Sequence, residues 1–422
     1  MTEYFETLRG LTSPQDCDEN GLMTAAALTA RVGDATAHAL YALGLGPRKL
    51  RESRDRVRLI DERLSRQFDL RSGDVFHVQS ALVSSDGENH IFDHRLVYSD
   101  TGAISCTTRT EVTAPQLPHS TFDKDAEHAG EVTYRGRVSA AECDQMRHMN
   151  VQFYMAKNSQ ALAQIGAMLG IGKIFYATAE RILFEREVYA GDILIMRSGI
   201  RKIAGDSLHI ASLLLNAETG AVAARFETVA GIWDLGNGET QSLPNAVRKK
   251  ADSFAIASDD AFPPPREITG PRLEEKFPDN AVVTCRRSVN TWEVDTAGIA
   301  TPAFVISCVS DAAMHFFTHM GAGHVWRVEN DIGSAALDYN IVYLRPMTIG
   351  MPVEAHSQFL ETREKTFRFS HHLSDATSDQ VAVTIEITAV LFDLSKRKSI
   401  ALPDEFHEKA KIFGAKKEIP QR

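Results

Sequence analysis

Two kinds of hydrophobic pattern alternate along the chain. Stretches of about 20 residues, such as 151–169, carry apolar residues at the spacing of one helix face. Shorter stretches, such as 207–215 and 380–388, alternate in period two and are rich in β-branched residues, which is typical of strands. Each helical stretch is followed by three or more strand-like stretches. A single helix followed by an antiparallel meander predicts an α+β fold.

This pattern occurs three times, which indicates internal repeats. Each repeat has an aspartate in a turn, then a helix over about 24–43, 151–169 or 302–319, and later a glycine turn. One constant offset relates the first and third repeats: it pairs Asp18 with Asp295, Gly21 with Gly298, His38 with His315, Gly73 with Gly350 and His94 with His371. The second repeat aligns with the first only when gaps are allowed.

The repeats are predicted at residues 1–119, 130–256 and 280–406. A polar segment over 115–130 and a proline-containing segment over 258–278 separate them. Three consecutive prolines in the second segment favour an extended spacer.

Composition excludes several classes of protein. The chain has 422 residues and a formal net charge of −10, which argues against a nucleic-acid binder. Its five cysteines include no CxxC pair, so reduced thiols in a cytoplasmic protein are expected. No signal-peptide pattern and no apolar run of about 18 residues occurs, so no membrane span is expected. No His/Asp/Glu cluster has metal-ligand spacing, so we expect no metal.

The densest polar motif lies at the entry to the second helix. Asp144, His148, Asn150 and Tyr154 follow one another within eleven residues. Asn150 is a natural N-cap, and the first amides of a helix can hold a developing oxyanion. A nearby carboxylate can act as general base or as nucleophile. These are the groups that thioester hydrolysis requires.

The motif resembles the active-site entry of hotdog-fold acyl-CoA thioesterases of the 4-hydroxybenzoyl-CoA thioesterase superfamily. Their pattern is Asp, a short turn, Gly-His-Met/Val-Asn and then Tyr in a long central helix. Arg147 stands where the family usually has Gly, and segment 181–192 continues the match. The resemblance covers nearly all of the second repeat and is weaker in the other two.

The resemblance implies three tandem hotdog domains, each an antiparallel sheet wrapped around a central helix. It implies that Asp144 is general base or nucleophile, that His148 and Tyr154 orient the carboxylate or the thioester, and that Asn150 begins the helix whose amides hold the oxyanion. Asp18 and Asp295 occupy the equivalent positions and are candidates for secondary sites, although neither is followed by the histidine.

Other residues have two interpretations each. Recurrence between repeats, as for His38, His94, His315 and His371, can mark a shared site, but core or interface positions are expected. The basic run of Arg248, Lys249 and Lys250, like that at 396–398, can bind CoA phosphates by charge-assisted hydrogen bonds or can be solvated terminal charge.

The sequence therefore predicts hydrolysis of an acyl-CoA thioester, with CoA as part of the substrate and no separate cofactor. Two alternatives stay open: a non-catalytic acyl-CoA binding or assembly protein, and a hydratase or dehydratase on the same fold. Hotdog units act in pairs in such families, and three is an odd number. A homodimer of six units is therefore expected.

Overall fold

A computed structural model describes residues 3–122, 128–144, 146–172, 174–234, 239–257, 262–263 and 280–413. It contains three units of the same topology. The first unit comprises β1 (Phe5–Leu11), α1 (Ala25–Ala42), α2 (Pro47–Ser53), β2 (Arg58–Arg66), β3 (Val75–Asp86), β4 (Asn89–Tyr98) and β5 (Ile104–Thr113). Most of the predicted spacer at 258–278 lies outside the described residues.

The second and third units repeat this order with short additions at their ends. The second comprises β6 (Glu131–Arg137), α3 (Val151–Leu169), β7 (Phe175–Phe184), β8 (Ile193–Ala204), β9 (Ser207–Asn216), β10 (Val222–Trp233), β11 (Thr240–Gln241) and α4 (Asn245–Ala251). The third comprises β12 (Val282–Ser288), α5 (Pro302–His319), α6 (His324–Glu329), β13 (Ile332–Tyr343), β14 (Pro352–Thr362), β15 (Thr366–Asp375), β16 (Val381–Asp393), β17 (Lys398–Ser399) and α7 (Asp404–Phe413). The three predicted central helices are confirmed.

Within each unit the long strands pair antiparallel in one order. In the first unit this order is β1-β3-β4-β5-β2, and β6-β8-β9-β10-β7 and β12-β14-β15-β16-β13 repeat it. The long helix of each unit packs against this sheet. An antiparallel sheet around a central helix is the hotdog arrangement, so the predicted fold class is confirmed.

The second and third units form one body. β7 pairs antiparallel with β13, which joins their sheets, and α3 packs beside α5. Ile182 of β7 and Ile341 of β13 are fully buried in one apolar core that includes both helices. The first unit joins the second through a bridge between β1 and β6. In the described part of the chain, no helix is both long and apolar enough to cross a lipid bilayer.

A buried chain of polar side chains crosses the sheet in each unit. The Thr7 hydroxyl lies 2.6 Å from that of Ser80, which lies 2.7 Å from Nδ1 of His94. The third unit repeats this chain with Thr284, Ser357 and His371. The predicted core positions of His94 and His371 are thereby confirmed, whereas His315 is exposed on α5 and does not lie in the core.

We expect these buried histidines to make the fold sensitive to acid. Burial lowers the pKa of His94 to about 4 and that of His371 to about 3, from an ordinary value of 6.5. A lowered pKa in the folded state means that stability is lost as the pH falls below about 6.5. The expected loss is about 2 kcal/mol for each histidine by pH 5. Urea unfolding at pH 8 and pH 5 measures it, and His94→Gln should reduce the difference; an unchanged difference would contradict this assignment.

Candidate active site

The loop before α3 is a compact turn built on Asp144. The backbone N–H of Asp144 donates to the carbonyl of His148 at 2.9 Å. Its side-chain Oδ1 accepts the N–H groups of Met146 at 2.8 Å and His148 at 3.2 Å. One oxygen of the carboxylate therefore holds the loop that carries the histidine.

The same turn occurs in all three units. Oδ1 of Asp18 accepts the N–H groups of Asn20 and Leu22, and Oδ1 of Asp295 accepts those of Ala297 and Ile299. An aspartate at this position is thus explained by the turn alone. What distinguishes the second unit is the residue four positions later.

Arg147 has the same backbone conformation as the glycines of the other two units. Its φ is 66°, in the left-handed region, where the first and third units have Gly21 and Gly298. A non-glycine residue pays a modest strain energy there. The departure from glycine therefore leaves the loop path unchanged.

His148 lies against an acidic partner that the sequence interpretation missed. Its Nδ1 is 3.2 Å from Oε1 of Glu187, and its ring meets that of Tyr189 edge-on at 4.9 Å between centroids. The side chain is 15% exposed. The backbone bridge between His148 and Tyr189 sets this geometry.

A residue of the third unit also contacts Glu187. The guanidinium of Arg397, on the turn between β16 and β17, forms an ion pair with Glu187. One carboxylate thus contacts an imidazole from the second unit and a cation from the third. The site lies where the two units meet.

Glu187 belongs to a charged run, 185–187, between the apolar residues Phe184 and Val188. That run is visible in the sequence. Its contact with His148 is not visible in the sequence. The two segments are about 40 residues apart and meet only through an isolated backbone bridge.

Asn150 caps the helix as predicted. Its side chain accepts the N–H of Gln152 at 3.1 Å, and α3 begins at Val151. The first amides of a helix have no intrahelical acceptor and carry partial positive charge. They point toward the end of α3 at which His148 lies.

Tyr154 lies one turn further along, inside the core. Its ring meets Phe184 edge-on, and its hydroxyl is 3.5 Å from the carbonyl oxygen of Arg186. Burial raises its pKa well above the ordinary value, so it is a neutral phenol. The structure thus brings His148 and the Asp144 turn together at the helix start and places Tyr154 behind them.

A buried ion pair connects α3 to the segment that precedes the Asp144 turn. Nζ of Lys157, which is 2% exposed, lies 2.7 Å from Oε1 of Glu142. The carbonyl of Glu142 also accepts the N–H of Asn150. Burial by itself would lower the pKa of Lys157, but Tyr134 and Glu142 beside it raise the value above the ordinary one. The ion pair therefore ties α3 to the segment that leads into the active loop.

The two secondary candidates have different surroundings. Oδ2 of Asp295 accepts the hydroxyl of Tyr176 from the second unit at 2.7 Å, and Tyr176 packs against Trp233. Asp18 lies on an exposed turn. In place of the imidazole they have Ile299 and Leu22, which cannot transfer protons.

Arg248, Lys249 and Lys250 lie on α4, which packs on the second half of α3. Arg248 forms an ion pair with Asp206 at 2.7 Å. The structure does not bring these residues to the Asp144 loop, which precedes the opposite end of α3. A role for them in CoA binding stays a prediction.

The sequence profile of the thioesterase-like superfamily matches residues 138–251 and 289–410, which include most of the second and third units. A search among curated proteins found no match.

Several solved thioesterase structures are similar in part. The 12:0-ACP thioesterase of Umbellularia californica is 11% identical, with 61% of this chain and 96% of that chain covered and a TM-score of 0.46. An acyl-ACP thioesterase of Bacteroides thetaiotaomicron is 8% identical over 61% and 96%, with a TM-score of 0.43. The 1,4-dihydroxy-2-naphthoyl-CoA thioesterase Slr0204 of Synechocystis is 17% identical over 31% and 95%, with a TM-score of 0.28. The superfamily profile covers more than half of the residues, and the chain therefore belongs to the thioesterase-like superfamily.

Proposed function

We propose that the second and third units hydrolyse an acyl-CoA thioester at the His148 site. The observation that carries this proposal is the 3.2 Å contact between Nδ1 of His148 and Glu187, directly after the Asp144 turn and at the start of α3. A carboxylate at Nδ1 favours the tautomer with its proton on that nitrogen. Nε2 is then the proton acceptor.

The reaction needs one water molecule and one proton relay. Nε2 of His148 takes a proton from water as the oxygen attacks the thioester carbonyl carbon. The carbonyl oxygen becomes an oxyanion, which the first amides of α3 stabilise. When the C–S bond breaks, the imidazolium returns its proton to the departing thiolate, which gives a carboxylic acid and a free thiol. Glu187 stabilises the imidazolium between these steps.

Asp144 is the second candidate for general base or nucleophile. One of its oxygens is committed to two loop amides, and the same bonds recur at Asp18 and Asp295. Asp144→Asn separates the two roles, because the amide oxygen can keep the turn while the charge is lost. A base or nucleophile would lose at least about 100-fold in kcat, whereas a turn residue would lose little.

A basic turn supports a phosphorylated carrier such as CoA. Lys396, Arg397 and Lys398 lie between β16 and the end of β17, and Arg397 contacts the site. Cations at this place suit charge-assisted bonds to phosphate. Lys398→Glu should raise KM for acyl-CoA and leave it unchanged for an acyl-N-acetylcysteamine thioester, which has no phosphate.

The direct test is release of free thiol from a panel of short, aromatic and long-chain acyl-CoA thioesters. Hydrolysis of one class by the wild type, lost in His148→Ala, is the expected result. No release from any thioester, with acyl-CoA still bound, would overturn the proposal. It would favour the alternative of a non-catalytic acyl-CoA binding protein. That alternative draws on Leu22 and Ile299, which replace the imidazole in the other two units.

A further inference from the structure

The third unit places two thiols side by side. Cys285 lies on β12 and Cys308 lies on α5. Cys308 is fully buried in the shared core, and Cys285 packs against the margin of the same core. A hydrogen bond joins the two thiols. The reaction proposed at His148 uses neither of them.

The contacts of Arg287 show that this face of β12 is turned toward α5. Arg287 lies two residues after Cys285 and therefore on the same face of the strand. Its Nη1 donates to the hydroxyl of Ser307 at 3.0 Å, and its guanidinium lies 4.9 Å from the ring centre of Phe304. Ser307 immediately precedes Cys308. These contacts hold Cys285 against the turn of α5 that carries Cys308.

Two landmarks show which residues are equivalent to Cys308 in the other units. The three long helices have as their N-caps Thr24, Asn150 and Thr301. Seven positions after these caps stand Arg31, Lys157 and Cys308. The backbone N–H of each N-cap donates to the carbonyl of an acidic residue in the preceding loop: Asp16, Glu142 and Glu293. Cap and loop acid give the same alignment.

In the first two units a helix cation meets the loop acid. Arg31 pairs with Asp16 at 2.8 Å, and Lys157 pairs with Glu142 at 2.7 Å. In the third unit the cation of Glu293 comes from β12 instead, as an ion pair with Arg287. The equivalent position on α5 therefore has a sulfur that can form a covalent bond, where the other helices have a charge.

The two sulfurs differ in access and in acidity. Cys285 is half-buried, so a small oxidant can reach it, whereas Cys308 is enclosed. The hydrogen bond from Cys308 outweighs burial and lowers the pKa of Cys285; the same bond, together with burial, raises the pKa of Cys308. The thiolate is the reactive form of cysteine. An accessible thiol of lowered pKa beside a second cysteine is the arrangement of a redox-sensitive pair.

We propose that Cys285 and Cys308 form a reversible disulfide, which joins β12 to α5 when the protein meets a peroxide. Both cysteines lie on the same face of the contact, and their sulfurs already touch. A disulfide needs the sulfurs to close to about 2 Å, which is a small movement from this contact. The inference concerns a modification of the third unit and does not depend on catalysis at His148.

The reaction proceeds in two steps. The Cys285 thiolate attacks one oxygen of hydrogen peroxide, the O–O bond breaks, and a sulfenic acid forms while the departing hydroxide takes up a proton to become water. Cys308 then attacks the sulfur of Cys285, the S–S bond forms, and the S–O bond breaks. The proton of Cys308 leaves with the hydroxide as a second water molecule. The two sulfurs together lose two electrons, which the peroxide gains.

The disulfide would hold the long helix of the third unit covalently, where ion pairs hold those of the first two. A cross-link of this kind stabilises mainly by restricting the unfolded chain. Oxidation should therefore raise the urea midpoint of unfolding by about 1 M, and dithiothreitol should reverse the shift. Cys285→Ser should show no shift on oxidation.

Thiol counting and peptide mapping give the direct test. A small excess of hydrogen peroxide should lower the number of free thiols from five to three, and dithiothreitol should restore five. Tryptic digestion without reduction should give a cross-linked pair of peptides, because Arg286 and Arg287 separate the two cysteines in the chain. Cys143→Ser, at a partly buried cysteine of the second unit, is the matched control and should leave this cross-link unchanged.

The variant Cys308→Ser separates the proposed pair from oxidation of one cysteine alone. Without the second sulfur, the sulfenic acid at Cys285 should persist and be labelled by dimedone, whereas the wild type should take up little label. Equal labelling of Cys285 in both proteins would overturn the proposal. Conversion of Cys285 in the wild type to a sulfinic acid without a cross-link, or a cross-link between any other two cysteines, would also overturn it.

Discussion

Replacing His148 by alanine should lower kcat/KM for thioester hydrolysis by at least about 100-fold, because a positioned general base contributes roughly that much or more. The fold should survive, since His148 is partly exposed and its backbone bridge to Tyr189 does not need the imidazole. Thiol release measured on purified protein, with a circular dichroism spectrum to show folding, gives the comparison.

Two further variants make the result specific to the proposed relay. His209→Ala removes a half-buried imidazole from β9 of the same unit and should leave the rate unchanged. Glu187→Gln should reduce the rate less than His148→Ala, because the glutamine side-chain oxygen can still accept a hydrogen bond from Nδ1 while the charge that stabilises the imidazolium is lost. If His148→Ala keeps full activity while Asp144→Asn loses it, Asp144 is the base and the assignment to His148 is wrong.

Lys157→Met should lower the free energy of unfolding by about 3 kcal/mol, the lower end of the range for breaking a buried ion pair. Nζ of Lys157 is the cation beside Glu142, and the methionine would leave that carboxylate without it. Urea unfolding measures the change. Because Glu142 also accepts the N–H of Asn150, we expect a loss of kcat in the variant under conditions where it remains folded.

Arg31→Met is the matched control for this effect. Arg31 of α1 forms the equivalent helix-to-loop ion pair with Asp16 at 2.8 Å. Its loss should destabilise the first unit but leave thioester hydrolysis by the other two units intact. Equal loss of activity in both variants would show that Lys157 acts only through global stability.

The architecture was predictable because it rests on local patterns. Helical spacing over 151–169 and 302–319 predicts α3 and α5 within their observed bounds. The glycine turns and the offset between the first and third repeats predict a repeated unit. The sequence did not show the partner of each edge strand, because β7 and β13 have hydrophobic patterns similar to that of β2. Only the assembled sheet shows that β7 and β13 pair with each other.

Only those site residues that lie close together in the sequence were predictable. Asp144, His148 and Asn150 lie on one loop, so spacing alone brings them together. Glu187 and Arg397 come from a later strand end and from another unit, and their positions depend on how β7 meets β13. Tyr154 has the family spacing, yet its ring is committed to packing against Phe184.

The covalent link between the second and third units also determines how the protein responds to dilution. Two units in one chain meet at an effective concentration that does not depend on how much protein is present. The pair that holds His148 and Arg397 therefore stays assembled at nanomolar levels, where association between separate chains is lost by mass action. Specific activity should thus stay constant on dilution to nanomolar protein.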